Sequence, residues 1–427
     1  MSAGILGPHA TSDVANFMGL TRAVNLPTLN TDSGLASPVL PTPQLTSADQ
    51  LSGWTDIPPE RQGVDLGQID DFKYILNDND TCTDLFAMVT LDGLNPGLGG
   101  SNPRYPDDPI AASVEKVIFQ YGRDLQEFSG DEIHFNFVQS EDHTDFNRLA
   151  QLRGYSVPLG ERIDNARAPR TYAMRLPFWW TQRLSDAWHQ WRFRRETRIR
   201  IVWRPQTQVL QQEGANTQPT PMNGTQYIMN HWLRFRVMAI SEATKQKYTE
   251  RISDMGTAGW LHLIENTERL TQQIHAGNTR HVIQLNTFRK YGYNLRWVIR
   301  PVSALTANYM DNDRWRKFTI RNVQLTISGR QFLPRTDKFW LTHAVDEAVF
   351  RGSPEHDIFN IPFSDHPDLT AAAMGGIDFS MANTPQIVIE TEPLPESCFV
   401  DFFLQCHNYI RLVLVGNNTG AESVQPL

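Results

Sequence analysis

The 427-residue sequence predicts an all-β chain made from a duplicated unit, a sandwich or jelly roll used twice. Three observations carry that expectation. Short alternating apolar runs are separated by long polar loops, and the same ordered set of motifs occurs in both halves. The chain is also rich in strand-favouring aromatics, with 11 Trp and 22 Phe at 40% hydrophobic content.

Four matched words carry the repeat. Val117-Ile118-Phe119-Gln120-Tyr121-Gly122-Arg123 is answered by the run from Val323 to Gly329-Arg330. Leu176-Pro177-Phe178 is answered by Ile361-Pro362-Phe363, Arg198–Trp203 by Gln386–Glu390, and Trp232–Met238 by Tyr409–Val415. Any one match is easily found by chance, whereas four in one order point to duplication. A chain of this length also exceeds the size at which one core keeps growing, so two domains are expected.

Residues 1–60 read as an extended N-terminal arm rich in Pro, Ser, Thr and Gly, with Ser37-Pro38-Val39-Leu40-Pro41-Thr42-Pro43 disfavouring helix. Within it, Ser12-Asp13 caps a candidate amphipathic helix carrying Val14, Phe17, Met18 and Val24. The arm reads either as a loosely ordered tail or as a tether to a neighbouring subunit or inner layer. The first β unit, 61–253, takes its strands from Asp84–Val89, Val114–Tyr121, Ile133–Val138, Tyr172–Trp180, Thr197–Trp203 and Trp232–Ile240. Gln206–Thr225 is a long surface loop, and Ser241–Arg251 a polar, helix-prone linker. The second unit, 254–427, takes strands from His281–Leu285, Leu295–Ile299, Phe318–Ser328, Ile387–Glu390, Phe399–Leu404 and Tyr409–Val415. Leu261–Ile274 reads as a helix or an edge segment.

A net charge of −8 and a pI near 5.8 argue against wholesale nucleic-acid binding, which needs a basic footprint. Cys82, Cys398 and Cys406 have neither metal spacing nor an even count, so a reducing compartment is the simpler reading. No run approaches the roughly eighteen apolar residues of a membrane span. The N-terminus has no basic region before an apolar core, and Ser2 stands where myristoylation would need glycine. A soluble product of the cytosol is expected.

Leu176-Pro177-Phe178-Trp179-Trp180 and Gly376-Ile377-Asp378-Phe379-Ser380-Met381-Ala382-Asn383 resemble the double jelly-roll major capsid proteins of large icosahedral dsDNA viruses, the adenovirus-hexon and nucleocytoplasmic large DNA virus lineage. The strand ending at Gly122 before Pro177-Phe178-Trp179, the Gly-x-x-Phe-Ser segment before Ile387-Val388-Ile389, and the Asn408-Tyr409 run ending at Gly416 all match that pattern. Met381-Ala382-Asn383 departs from it, since members commonly carry Arg-Ile-Asp there. The resemblance implies two tandem eight-stranded jelly rolls and a homotrimer forming a pseudo-hexagonal capsomer that tiles a virion shell around a dsDNA genome. It also implies capsomer–capsomer contacts and penton and minor or cement proteins as partners. An inner membrane layer is a contact it leaves open for the arm. Gln206–Thr225 and Leu305–Arg314 would lie on outer towers or trimer contacts, and synthesis would be in the host cytoplasm.

Chemistry-bearing clusters yield no site. Arg183, Arg192, Arg194, Arg195, Arg198, Arg200 and Arg204 interleave with Trp188, Trp191, Phe193 and Trp203, as on a stacking nucleic-acid surface. Arg alternating with Ile from Thr197 instead fits a solvated strand face or a subunit contact. His134, His143, His189, His231, His275 and His281 are scattered and read as structural or surface residues. Glu141-Asp142 with Asp145, and Asp311-Asn312-Asp313, lack the spacing of a calcium loop. Gly97-Leu98-Gly99-Gly100 lacks the following helix of a phosphate cradle, and the sequons at Asn79, Asn223 and Asn417 would not meet secretory machinery from the cytosol. No catalytic, cofactor-binding or metal residue is nominated, and no cofactor or specific nucleic-acid site is expected. The alternative class is a carbohydrate-binding, lectin-like β-sandwich, which the aromatic loops favour and the missing signal sequence disfavours.

Overall fold

Residues Thr197 to Trp203 alternate between core and half-exposed surface one by one, as a strand with one wet face must. The same period runs through both halves of the computed structural model. It describes residues 52–73, 80–121, 124–140, 143–181, 188–189, 197–239, 260–306, 308–310, 313–341, 357–363, 376–415 and 418–423, with isolated positions between 241 and 250.

In the first half, β1 (Ser52–Ile57), β2 (Ile69–Lys73), β3 (Asp80–Leu91), β4 (Val114–Tyr121), β5 (Asp124–Ser129), β6 (Arg170–Arg175), β7 (Thr197–Trp203) and β8 (Ile228–Ala239) form two antiparallel sheets. Their orders are β1-β8-β3-β6 and β2-β7-β4-β5. In the second half, β9 (Trp260–Ile274), β10 (Arg280–Gln284), β11 (Tyr291–Pro301), β12 (Ile320–Ile327), β13 (Arg330–Asp337), β14 (Ile358–Pro362), β15 (Gln386–Thr391) and β16 (Cys398–Val415) do the same. Their orders are β9-β16-β11-β14 and β10-β15-β12-β13. Adding eight to every label of the first pair of orders produces the second pair. The chain is therefore two eight-stranded jelly rolls in tandem, with one topology used twice.

Each sandwich is filled from both inner faces. In the first, Phe119 lies 5.3 Å from Phe178, and Trp180 stacks over Phe235 at 6.4 Å. In the second, Trp297 packs on Phe359 at 4.6 Å and on Phe402 at 6.1 Å. The repeated Pro-Phe word has a packing role in both. Phe178 is wholly buried just after β6, and Phe363, just after β14, packs on Phe379 at 5.7 Å. Gly376 is required where it stands, because a Cβ there would sit 2.5 Å from the Tyr291 ring. All three cysteines are buried and outside any disulfide, each thiol donating to a backbone carbonyl two residues away at 3.3 Å.

Several expectations are corrected. Ile133–Val138 is not a strand but part of a helix, α2 (Gly130–Ser140), which with α3 (His143–Arg153) and α4 (Leu159–Asn165) fills the β5–β6 connection; a single turn, α1 (Pro109–Ser113), precedes β4. The alternation in Ile133-His134-Phe135-Asn136-Phe137 misleads because α2 is buried on nearly every side, which removes the 3.6-residue signal. The strand expected over Tyr172–Trp180 stops at Arg175, and a tight turn follows in which the Thr181 hydroxyl donates to the carbonyls of Leu176 and Phe178 at 2.6 and 2.9 Å. Phe399–Leu404 and Tyr409–Val415 are one strand, β16, and Leu261–Ile274 is the edge strand β9. Ser52–Ile57, within the stretch read as arm, is a sheet strand; residues 1–51, with the helix candidate at Val14, lie outside the described residues, as does most of Ser241–Arg251. Among the described residues no helix is long and apolar enough to cross a membrane.

Candidate functional site

The most elaborate polar chemistry in the chain lies where the two rolls meet. Helix α2 is the wedge. Its residues 131, 132, 135, 136 and 139 lie on one helical face and all reach the second roll. Asp131 receives Arg300 and Arg314, Phe135 lies 6.1 Å from Phe403, Asn136 accepts from Arg296, and the Gln139 amide donates to the Ile358 carbonyl at 3.1 Å. His134 adds a stacked contact on Trp315 with ring centroids 3.7 Å apart.

Two buried carboxylates organise the charges. Asp131 takes Arg204 of the first roll at 2.9 Å and Arg314 and Arg300 of the second at 3.1 and 3.2 Å. Arg300 also donates to Asp401 at 3.1 Å, and Asp401 accepts from Thr271 at 2.6 Å and Arg269 at 3.3 Å. Burial alone would raise the Asp131 carboxyl, but three guanidinium groups hold it well below the usual carboxylate range. Burial and the neighbouring Arg314 charge bring Arg204 down to about 9. Glu132, beside Asp131 and hydrogen-bonded to Thr267, is pushed by burial up to about 7. A second buried group joins Asp108 to His134 at 2.7 Å and to the Arg153 Nε at 3.1 Å. Burial drops His134 to about 4, so it is neutral near pH 7. Below these groups lies a cavity of about 260 Å³, lined by Ile133, Phe137 and Arg153 on one side and by Thr267, Tyr293 and Gln405 on the other.

Among the described residues, the corresponding outer face of the first roll is partly exposed. Across β1, β8 and β3, Trp54 stands opposite Arg236 and Arg236 opposite Asp84; one row on, Asp56 stands opposite Arg234 and Arg234 opposite Phe86. Arg234 pairs with Asp56 through two 2.7 Å bonds, and Trp54 meets Phe86 edge-on at 5.9 Å. Trp54 is 55% exposed.

No protein-family model matches the sequence, and no curated protein matches it. Solved structures do. The Faustovirus major capsid protein superposes with a TM-score of 0.66 at 11% identity, over 97% of this chain and 99% of that one. PBCV-1 VP54, fitted into a reconstruction of the virophage Sputnik, gives 0.65 at 11% identity, over 88% of this chain and 98% of that one. The quasi-atomic PBCV-1 capsid gives 0.63 with the same identity and coverage, 11%, 88% and 98%. The chain has the double jelly-roll fold of these capsid proteins.

Within the double jelly roll, the residues singled out in the sequence scatter into structural roles. Of the Arg-rich stretch, Arg200 pairs with Asp71 at 2.7 Å on a half-exposed face, and Arg204 is buried at the junction described above. Arg183, Arg192, Arg194 and Arg195 lie outside the described residues. His231 pairs with the buried Asp70 at 2.5 Å, and His281 approaches the Thr391 hydroxyl at 3.3 Å. Asp313 caps the Trp315 N–H at 2.9 Å, and the Asn223 side chain is tied to Asp92 at 2.7 Å. The two loops read as tower or contact segments meet each other. Gln211–Gln212 of the first pairs in parallel with Tyr309–Met310 of the second. Sequence reading missed α2 and its partners Arg296, Arg300, Arg314 and Asp401. Their one visible signal is charge inside apolar strands, as in Trp297-Val298-Ile299-Arg300 and Val400-Asp401-Phe402, since a charge at a core-strand position demands a partner.

Proposed function

We propose that the chain is a major capsid protein, a structural subunit that associates into homotrimeric, pseudo-hexagonal capsomers and tiles an icosahedral virion shell around a dsDNA genome. The observation that carries the reading is the double jelly roll matched along nearly its whole length to capsid subunits, with both rolls of one topology. Its division is proposed as an arm over 1–60, whose last residues enter the first sheet, a first roll over 61–253 and a second over 254–427. Penton and minor or cement proteins are the proposed partners beyond the trimer, an inner membrane a contact of the arm, and the host cytoplasm the place of synthesis. The lectin-like alternative finds no support, because the solved structures that match along nearly the whole chain are capsid subunits. Sedimentation of the purified full chain is the test. A trimer mass supports the reading, and a monomer at every concentration overturns it.

A further inference from the structure

The cavity beneath the junction has an apolar floor supplied by the first roll and a polar mouth shared by both. Phe128 of β5, Ile133 and Phe137 of α2 and Leu149 of α3 form the floor and are 2–4% exposed. Asn136 of α2, Asn266 and Thr267 of β9 and Gln405 of β16 are half-buried and form the mouth. Among the described residues the lining carries two arginines, Arg153 and Arg175, and no carboxylate; the two charges are met from outside it by Asp108 and Asp84.

The three amides at the mouth all spend their oxygen on the protein. Asn136 Oδ1 accepts from the Arg296 guanidinium, Asn266 Oδ1 from the Thr267 backbone N–H at 2.9 Å, and Gln405 Oε1 from Asn294 Nδ2 at 2.7 Å. The first two donors can only donate, which fixes both orientations. The third follows in turn. Arg296 Nε donates to Asn360 Oδ1 at 3.3 Å, Asn294 must then give that same oxygen an amide N–H at 3.2 Å, and its Nδ2 also serves Gln405. All three NH2 groups are therefore left at the mouth with no protein acceptor among the described residues. Half-buried donors in this number call for an acceptor. The Arg296 bond also polarises the Asn136 amide and strengthens its N–H groups as donors.

A mouth that only donates selects its ligand. A hydroxyl or amine head brings a hydrogen of its own that finds no partner there, whereas a carboxylate brings about four lone-pair sites, no hydrogen and the stronger, charge-assisted bonds. The floor beneath it suits an apolar tail. Since a cavity of about 150 Å³ accepts benzene, the 260 Å³ here holds roughly ten non-hydrogen atoms. We propose that this cavity is a binding site for a small amphipathic monocarboxylate, its carboxylate held by Asn136, Asn266 and Gln405 and its tail lying on Phe128, Ile133, Phe137 and Leu149. Such a ligand touches α2 on one side and β9 and β16 on the other, so it stabilises the rolls joined over the rolls apart. The whole lining belongs to one chain, and the site is independent of the capsomer reading.

Isothermal titration calorimetry of the full chain tests it with octanoate, an acid of about the required size. Octanoate stands for an acyl chain released from lipid, and 3-phenylpropanoate for a free aromatic acid; saturable binding of one molecule per chain by either supports the proposal, and the tighter of the two names the source. Acetate, which lacks the tail, and octanol, which lacks the charge, are expected to bind at least about tenfold more weakly. Gln405→Glu keeps the oxygen that accepts from Asn294 and turns the spare NH2 into an anionic oxygen. It should keep the wild-type circular dichroism and lose at least about tenfold in octanoate affinity. Should that variant not fold, Asn266→Asp replaces it, because it likewise keeps the acceptor for the Thr267 N–H. No saturable uptake of either acid, octanol binding as tightly as octanoate, or an unchanged octanoate affinity in the folded variant would each overturn the proposal.

Discussion

Asp131 shows how much one side chain can carry. It is the shared anion of Arg204, Arg300 and Arg314, all at least nine-tenths buried, and without it three guanidinium groups would face each other in a low dielectric. Asp131→Asn is expected to cost about 3–5 kcal/mol, read as a lower urea midpoint. Arg335→Ala, which breaks an exposed pair with Glu390, should cost less than about 1 kcal/mol in the same assay. Glu132 behaves in the opposite sense from its neighbour. Its carboxyl titrates near 7 in the folded chain against an ordinary 4.5, so the folded state holds a proton that the unfolded state releases between those values. Its contribution therefore falls as pH rises from 4.5 to 7, by on the order of 3 kcal/mol. Glu132→Gln keeps the group neutral, and should be more stable than wild type at pH 8 and nearly equal to it at pH 4.

At the scale of elements, α2 begins at a glycine for steric reasons. A Cβ on Gly130 would lie 2.2 Å from the Val114 carbonyl oxygen and 2.3 Å from that of Ala111, both backbone atoms that cannot turn aside. Gly130→Ala is expected to cost about 1–3 kcal/mol, while Gly53→Ala, with open space around it, should leave the melting temperature unchanged. Two strands with one wet face were legible in sequence, whereas Ile69–Lys73 and Arg330–Asp337 were not read as strands and Ser52–Ile57 was read as arm. Val114–Tyr121 and Thr197–Trp203 alternate because each has a core side and a half-exposed side, and they were read with correct bounds. The helix in the wedge was illegible for the converse reason, having no solvent face to write its period. The long strand β16 was read as two because Gln405, His407 and Asn408 interrupt its apolar run. The duplication was visible in the Pro-Phe word because it stands at the same place in both rolls, just after β6 in the first and at the end of β14 in the second. The charged junction was not, because Asp131 and Arg300 are 169 positions apart and their match exists only in three dimensions.

For the whole molecule, the junction makes the two rolls one cooperative body. First-roll core residues such as Phe135 share a continuous apolar cluster with Val298, Trp315, Ile358 and Phe403 of the second. Wild type should therefore unfold in one transition by differential scanning calorimetry, whereas Asp131→Ala combined with Phe135→Ala should separate it into two. The buried thiols bear on a larger object than the chain. Burial pushes Cys398 up to about 12 and Cys406 higher still, and Cys82 is sealed inside the first sandwich. In the proposed shell these positions present no accessible thiolate. Passage from reducing to oxidising surroundings should therefore leave the chain without a covalent cross-link at these three positions, read as an unchanged thiol count after denaturation.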